Sequence, residues 1–292
     1  MGIIESLNIE VQFKKAYAYL NNNNTLAAIQ IYQQLLKYEE SERKSTIKLA
    51  DLYDKAGKTK SAIDLFIRYL DRNSDDEEII KLVSYYLVKN SLFDDAEIFI
   101  DKFQNIKDEN LLYLKGIVNY HKNKFHDSLQ IFVELLNNYK SSQLVPSVFF
   151  YLSKIYLQNS LYDDALKSIQ KSIKLSTGDA ESYKIEAEIY FYKEMYYHAN
   201  ESIVKALKLN SSIIEWKHLE VKILILLDEI KKAKSKLENA IDESDSTSEI
   251  LTMFGNYFLK NKEITEANKY FEMANNINTK NFGSIYNYLG SN

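Results

Sequence analysis

The chain has no cysteine, one proline and only seven glycines among its 292 residues. Without cysteine there is no disulfide framework, no thiolate nucleophile and no Cys-ligated zinc. So little Pro and Gly leaves almost nothing for the tight turns of β-sandwiches and barrels, and an all-α fold follows. Excess positive charge is absent too: a formal net charge of −4 offers no broad cationic field to a phosphate backbone, so no nucleic acid partner is expected. The longest apolar runs, ILILL at 223–227 and VFFYL at 148–152, are far shorter than the roughly 20 residues that cross a bilayer. They read as core, and no membrane insertion is expected. The opening MGIIESLNIE lacks the basic start and apolar stretch of a signal peptide, which makes cytoplasmic the expected location. Met1-Gly2 with Ser6 does fit the short myristoylation pattern, although one acyl chain anchors only marginally.

What the chain does have is a period. SLFDDAEIFI at 91–100 returns as SLYDDALKSI at 160–169. The echo belongs to a column, Ala28, Ala62, Ala96, Ser128, Ala165, Ala199, Ala233 and Ala267, whose steps are 34 residues except for one of 32 and one of 37. Four residues after each stands a large apolar side chain: Tyr32, Phe66, Ile100, Phe132, Ile169, Ile203, Leu237 and Phe271. Twelve residues before each lies a mostly small one: Ala16, Ala50, Ser84, Gly116, Ser153, Ala187, Val221 and Gly255. Three residues later come Tyr19, Tyr53, Leu87, Asn119, Tyr156, Tyr190, Leu224 and Phe258, with Asn119 as the exception. Small residues where two antiparallel helices cross, with a large residue one turn away, describe a helical hairpin. Between the helices lie short polar stretches such as NNNN (21–24), KAGKT (55–59) and KNKF (122–125), where Asn or Gly is expected to take the left-handed conformation that ends a helix.

Small residue, aromatic, turn and then A-x-x-x-F resembles the spine of the tetratricopeptide repeat (TPR) family, in eight units over about residues 9–281. The family's proline at each repeat end and its early tryptophan are missing. The resemblance implies a right-handed superhelical solenoid. On this reading residues 1–8 are a lead-in, 9–142 hold units 1–4, 146–281 hold units 5–8, and 282–292 form a short capping helix. One continuous solenoid is expected, with a joint near 138–145 where the period breaks and Pro146 opens a helix.

Chemistry is sought and not found. There is no Gly-rich phosphate loop, no H-E-x-x-H and no nucleophile elbow, so no enzyme activity, no cofactor and no metal site is assigned. His121, His126, His198 and His218 read as ordinary polar-face or semi-buried residues. The run KKAKSK at 231–236 reads as a solvated helix face. The acidic pairs Asp94/Asp95 and Asp163/Asp164 fall where a second helix begins and are expected to cap its free N–H groups and oppose its dipole.

The resemblance also implies that first helices line a concave face, with their fifth and ninth positions pointing into it. In units 1 to 5 those positions are mostly apolar or aromatic; in units 6 to 8 they are Lys184, Glu188, His218, Lys222, Thr252 and Asn256. The candidate binding groove comprises Phe13, Tyr17, Tyr85, Tyr113, Ile117, Tyr120, Phe150, Lys154, Lys184 and Lys222. Tyr85, Tyr113, Ile117 and Phe150, from three successive units, are expected to form one patch. No three consecutive units carry the Lys/Asn set with which co-chaperone members of the family grip a chaperone tail. The expected function is a scaffold that binds a partner peptide or helix in this groove. The alternatives are a self-associating structural array, a homo-oligomer, and a regulatory segment of a larger assembly.

Overall fold

The computed structural model describes residues 3–103, 108–176, 178–241 and 244–277, which form sixteen α-helices and no strand. The first four hairpins are α1 (Ile3–Asn21) with α2 (Thr25–Leu35), α3 (Glu39–Lys55) with α4 (Thr59–Leu70), α5 (Glu77–Lys89) with α6 (Phe93–Lys102), and α7 (Glu109–His121) with α8 (Phe125–Asn138). The next four are α9 (Val145–Gln158) with α10 (Tyr162–Ser176), α11 (Ala180–Tyr192) with α12 (Tyr196–Leu209), α13 (Ile214–Leu226) with α14 (Ile230–Glu238), and α15 (Asp245–Lys260) with α16 (Ile264–Ile277). The starts of the second helices repeat the steps of the alanine column, including the short one to Phe125 and the long one to Tyr162. One boundary differs from expectation. Helix α1 begins at Ile3, so most of the presumed lead-in is helix. The presumed cap at 282–292 lies outside the described residues.

All eight turns are built alike. One residue in each takes positive φ: Asn23, Gly57, Ser91, Asn123, Ser160, Glu194, Asp228 and Lys262, with φ between 57° and 72°. The next residue's N–H donates back to the carbonyl of the aromatic column, as in Lys58 to Tyr53 (2.8 Å), Leu161 to Tyr156 (2.9 Å) and Glu263 to Phe258 (2.9 Å). That same residue's carbonyl accepts the N–H of the alanine column, from Ala62 (3.2 Å), Ala165 (2.9 Å) and Ala267 (3.0 Å) in the same three turns. The first bond closes the helix that ends and the second opens the helix that begins. Only three of the eight left-handed positions carry the expected Asn or Gly. Elsewhere Ser, Glu, Asp or Lys takes the strained conformation because the paired bonds hold it there.

The core repeats with the turns. Every alanine of the column is fully buried, and so is Ser128, whose Oγ donates across its hairpin to the carbonyl of Gly116 (2.8 Å). That bond explains how a hydroxyl replaces a methyl in a dry crossing. Phe66, Phe132 and Phe271 are fully buried, each contributing about 1.5–3 kcal/mol of apolar burial. The two glycines of the small-residue column lie beneath two of these rings. A Cβ on Gly116 would stand 2.5 Å from the Phe132 ring, and one on Gly255 would meet Phe271. The chain divides into two compact units, residues 1–142 and 143–292. Helix α9, with Pro146 in its first turn, opens the second unit.

Two tests follow from this geometry. Ser160→Gly and Glu194→Gly relieve a left-handed side chain and should each raise urea stability by about 0.5–1 kcal/mol, whereas Gly116→Ala should lower it by about 1–3 kcal/mol. Limited proteolysis should cut first within 138–145 and leave two folded fragments. A first cut inside 43–76 or 180–213 would contradict that division.

Candidate functional site

In the first unit the fifth-position side chains are occupied with packing. Phe13 is half-buried, its ring 5.9 Å from Tyr32, with Lys44 Nζ 4.4 Å above it. Tyr113 is half-buried against Phe132, at 6.1 Å. The ninth positions differ. Tyr17 is 64% exposed and Tyr85 50% exposed, the latter edge-on to Tyr86 at 5.9 Å. Ile117, however, is only 6% exposed, because its helix α7 packs directly against α5, α6 and α8. It adds little to any groove. Tyr120 is half-buried between the rings of Phe125 (5.7 Å) and His121 (5.2 Å). The open apolar surface on this face is therefore Tyr17 and Tyr85, with the rim of Tyr113.

In the second unit, Phe150 is half-buried beneath Lys154 Nζ (5.1 Å), and Lys154 reaches Glu181 (3.4 Å). Lys184 pairs with Glu188 (2.8 Å) and Lys222 with Glu249 (2.5 Å). His218, assigned to the open face by its position, is buried instead. Its Nε2 lies 2.7 Å from the Ala240 carbonyl and 3.2 Å from Thr247 Oγ1, which ties α13 to the end of α14 and to the first turn of α15. A surface that position-counting missed lies nearby. Leu226, Met253, Asn256, Tyr257 and Lys260 line a cavity of about 560 Å³ between α13 and α15, beside Asp228. The Tyr257 hydroxyl donates to Asp228 (2.5 Å), a bond that pushes the phenol's pKa up. The spacing of Met253, Asn256, Tyr257 and Lys260 as one helical stripe was the available signal; Asn256 alone was a ninth position.

Charges bind neighbouring repeats together. The acidic pairs do sit in the first turns of α6 and α10, but no side chain there makes a capping bond at Leu92. Instead Asp94 pairs with Lys122 (2.5 Å) of the next hairpin, and Asp163 with Lys193 in the same way. The expected cap is thus an inter-repeat ion pair that also opposes the helix dipole, on exposed carboxylates where such pairs contribute little. Capping carboxylates occur one helix away. Asp76 accepts from the Ile79 N–H (3.2 Å), the Tyr69 hydroxyl (3.1 Å) and Arg43 (2.7 Å), and Asp108 accepts from Leu111 N–H (3.2 Å) and Lys81 (3.0 Å). Burial opposes ionisation at both, yet these donors outweigh it and hold each carboxyl below the usual range. Among the described residues no group of three or more His, Asp or Glu is arranged to hold a metal ion.

Hairpins of this length, each closed through a small-residue crossing, define a helical-repeat fold. The chain has the fold of a tetratricopeptide repeat protein. The Tetratricopeptide repeat family model matches residues 13–77, and solved structures share the fold of the rest. A tetratricopeptide repeat protein from Parabacteroides merdae aligns with 97% of this chain and 98% of its own, at 13% identity and a TM-score of 0.57. A chain of the APC/C hetero-tetramer Cut9-Hcn1 aligns with 93% of this chain and 55% of its own, at 11% identity and a TM-score of 0.63. YrrB, described as a TPR protein with an unusual peptide-binding site, aligns with 61% of this chain and 91% of its own, at 12% identity and a TM-score of 0.54. At these identities the likeness is one of fold. A search of the curated proteins returns no match.

The Asp76 junction predicts an acid limb of stability. Because its folded pKa is depressed, its contribution is full above the unfolded value of about 3.9 and is lost as pH falls through the folded value. Asp76→Ala should cost about 1–3 kcal/mol at neutral pH. Denaturant titrations across pH should also show a shallower loss of stability below about pH 4 in that variant than in the parent. Parallel acid limbs would mean that Asp76 is not the titrating group.

Proposed function

We propose that the chain is a non-enzymatic, cytoplasmic scaffold that captures a segment of a partner protein on the first-helix face of its repeats. The observation that carries this reading is the exposure of Tyr17 and Tyr85 at equivalent ninth positions of two repeats. Large exposed tyrosines offer contact area at low entropic cost and commonly anchor protein interfaces. The cavity at Leu226, Met253 and Tyr257 adds a second place on first helices where an apolar side chain fits, with Asn256 and Lys260 at its rim. The peptide-binding site named for YrrB belongs to that protein and supports this reading by analogy of fold. No helix among the described residues is long and apolar enough to cross a membrane.

A self-associating array is favoured by a different observation. Ile67, Leu92 and Ile98 are 40%, 40% and 61% exposed and line one cavity of about 550 Å³ between α4 and α6. Light scattering across a concentration series separates the readings: a monodisperse monomer removes the array.

The binding reading is tested with a partner isolated by pull-down and identified by mass spectrometry. Tyr17→Ala combined with Tyr85→Ala should weaken its capture at least tenfold, about 1.4 kcal/mol, with the melting curve unchanged. A folded double variant that binds at parental strength would reduce both tyrosines to ordinary surface residues.

A further inference from the structure

We infer that the groove between the second helices α12 and α14 binds an acidic segment of a protein, with Lys217 and Lys208 receiving its carboxylates. This surface shares no residue with Tyr17, Tyr85 or the Leu226 cavity, so the inference stands apart from the function proposed above. The groove encloses about 470 Å³. Val204 and Leu207 of α12 supply apolar wall, Lys217 and Glu220 of α13 form the floor, and Lys236 and Asn239 of α14 close the far side.

Lys217 is the anomaly that points to a ligand. Every other half-buried lysine among the described residues has a carboxylate within ion-pair distance: Lys81 has Asp108, Lys122 has Asp94, Lys193 has Asp163, Lys222 has Glu249, and the rest follow suit. Lys217 has no such partner among the described residues, and Lys208, which shares its cavity, has none either. The carboxylate within reach is already taken. Glu220, 4% exposed, is bound to Lys236 at 2.8 Å, and a buried carboxylate that lost this partner would be left uncompensated. Three ammonium groups therefore face one carboxylate in a partly desolvated cleft, where an added negative charge is attracted more strongly than in open water.

The chemistry of the cleft selects among anions. It contains no arginine fork for bidentate phosphate recognition. The fixed negative charge of Glu220 at the floor penalises a dianion more than a single carboxylate. Exposed Val204 beside Leu207 suits an aliphatic side chain adjacent to that carboxylate. Glutamate or aspartate alternating with leucine or valine meets all three conditions, and the open groove between the helices admits an extended chain.

The test uses the full chain and a fluorescein-labelled peptide of alternating glutamate and leucine, read by anisotropy. Saturable binding that weakens as salt rises is expected, with no binding of the matching glutamine–leucine peptide. Lys217→Gln should weaken binding at least about tenfold, Lys208→Gln should also weaken it, and Lys174→Gln, an equal change of net charge on α10, should leave it unchanged. Circular dichroism of each variant establishes folding. Failure of the acidic peptide to saturate overturns the inference, as does an equal loss in the Lys174 variant or an unaltered affinity in folded Lys217→Gln. Displacement of the probe by inorganic phosphate at constant ionic strength would assign the cleft to a phosphorylated ligand and overturn it equally.

Discussion

The structure depends on how closely two helices of a hairpin can approach. At each crossing a fully buried Ala, or Ser128, is paired with a residue of the partner helix that is small in every hairpin but that of Val221, and a large apolar side chain stands one turn on. Where that large side chain is Phe132 or Phe271, the opposing residue has shrunk to Gly116 or Gly255. At those two crossings a Cβ on the glycine would collide with the ring. Close-packed interiors tolerate little overlap, and the constraint recurs in hairpin after hairpin because each repeat meets only its neighbours.

Such an approach demands a short, invariant turn, which the backbone supplies. The residue after each left-handed position donates to the aromatic column and accepts from the alanine column, so the two sequence columns that define the repeat are joined by main-chain bonds. Side-chain identity at the turn is correspondingly free. Glu194, Asp228 and Lys262 occupy a conformation in which glycine is the unstrained choice. That freedom leaves turn and helix surfaces available for charges that link one repeat to the next, as Lys122 does with Asp94 and Glu97.

Function is then a matter of what the packing leaves over. Once fifth-position aromatics such as Phe13 and Tyr113 are drawn against their own hairpins, the ninth-position tyrosines remain in solvent. Second helices of successive repeats leave grooves between them, one lined by exposed isoleucine and leucine and one by lysines. The same repeat can therefore offer two chemically different faces without altering its core.

The number of hairpins and the irregular steps around the fourth unit were determined by the sequence alone, because helix crossing restricts residue size at fixed spacing and a repeat displays that restriction eight times. The fate of individual side chains was not legible there. Ile117 and Tyr85 hold the same repeat position, yet one is buried and the other open. His218 was placed on the open face by counting and turns inward to the Ala240 carbonyl. Asp94 looked like a cap and instead reaches the next repeat. Position within a repeat sets direction relative to its own helix, whereas exposure and partnership depend on how far the neighbouring hairpin is rotated and what it carries there. Only the tertiary structure decides that, and with it which half-buried lysine has no counter-charge among the described residues.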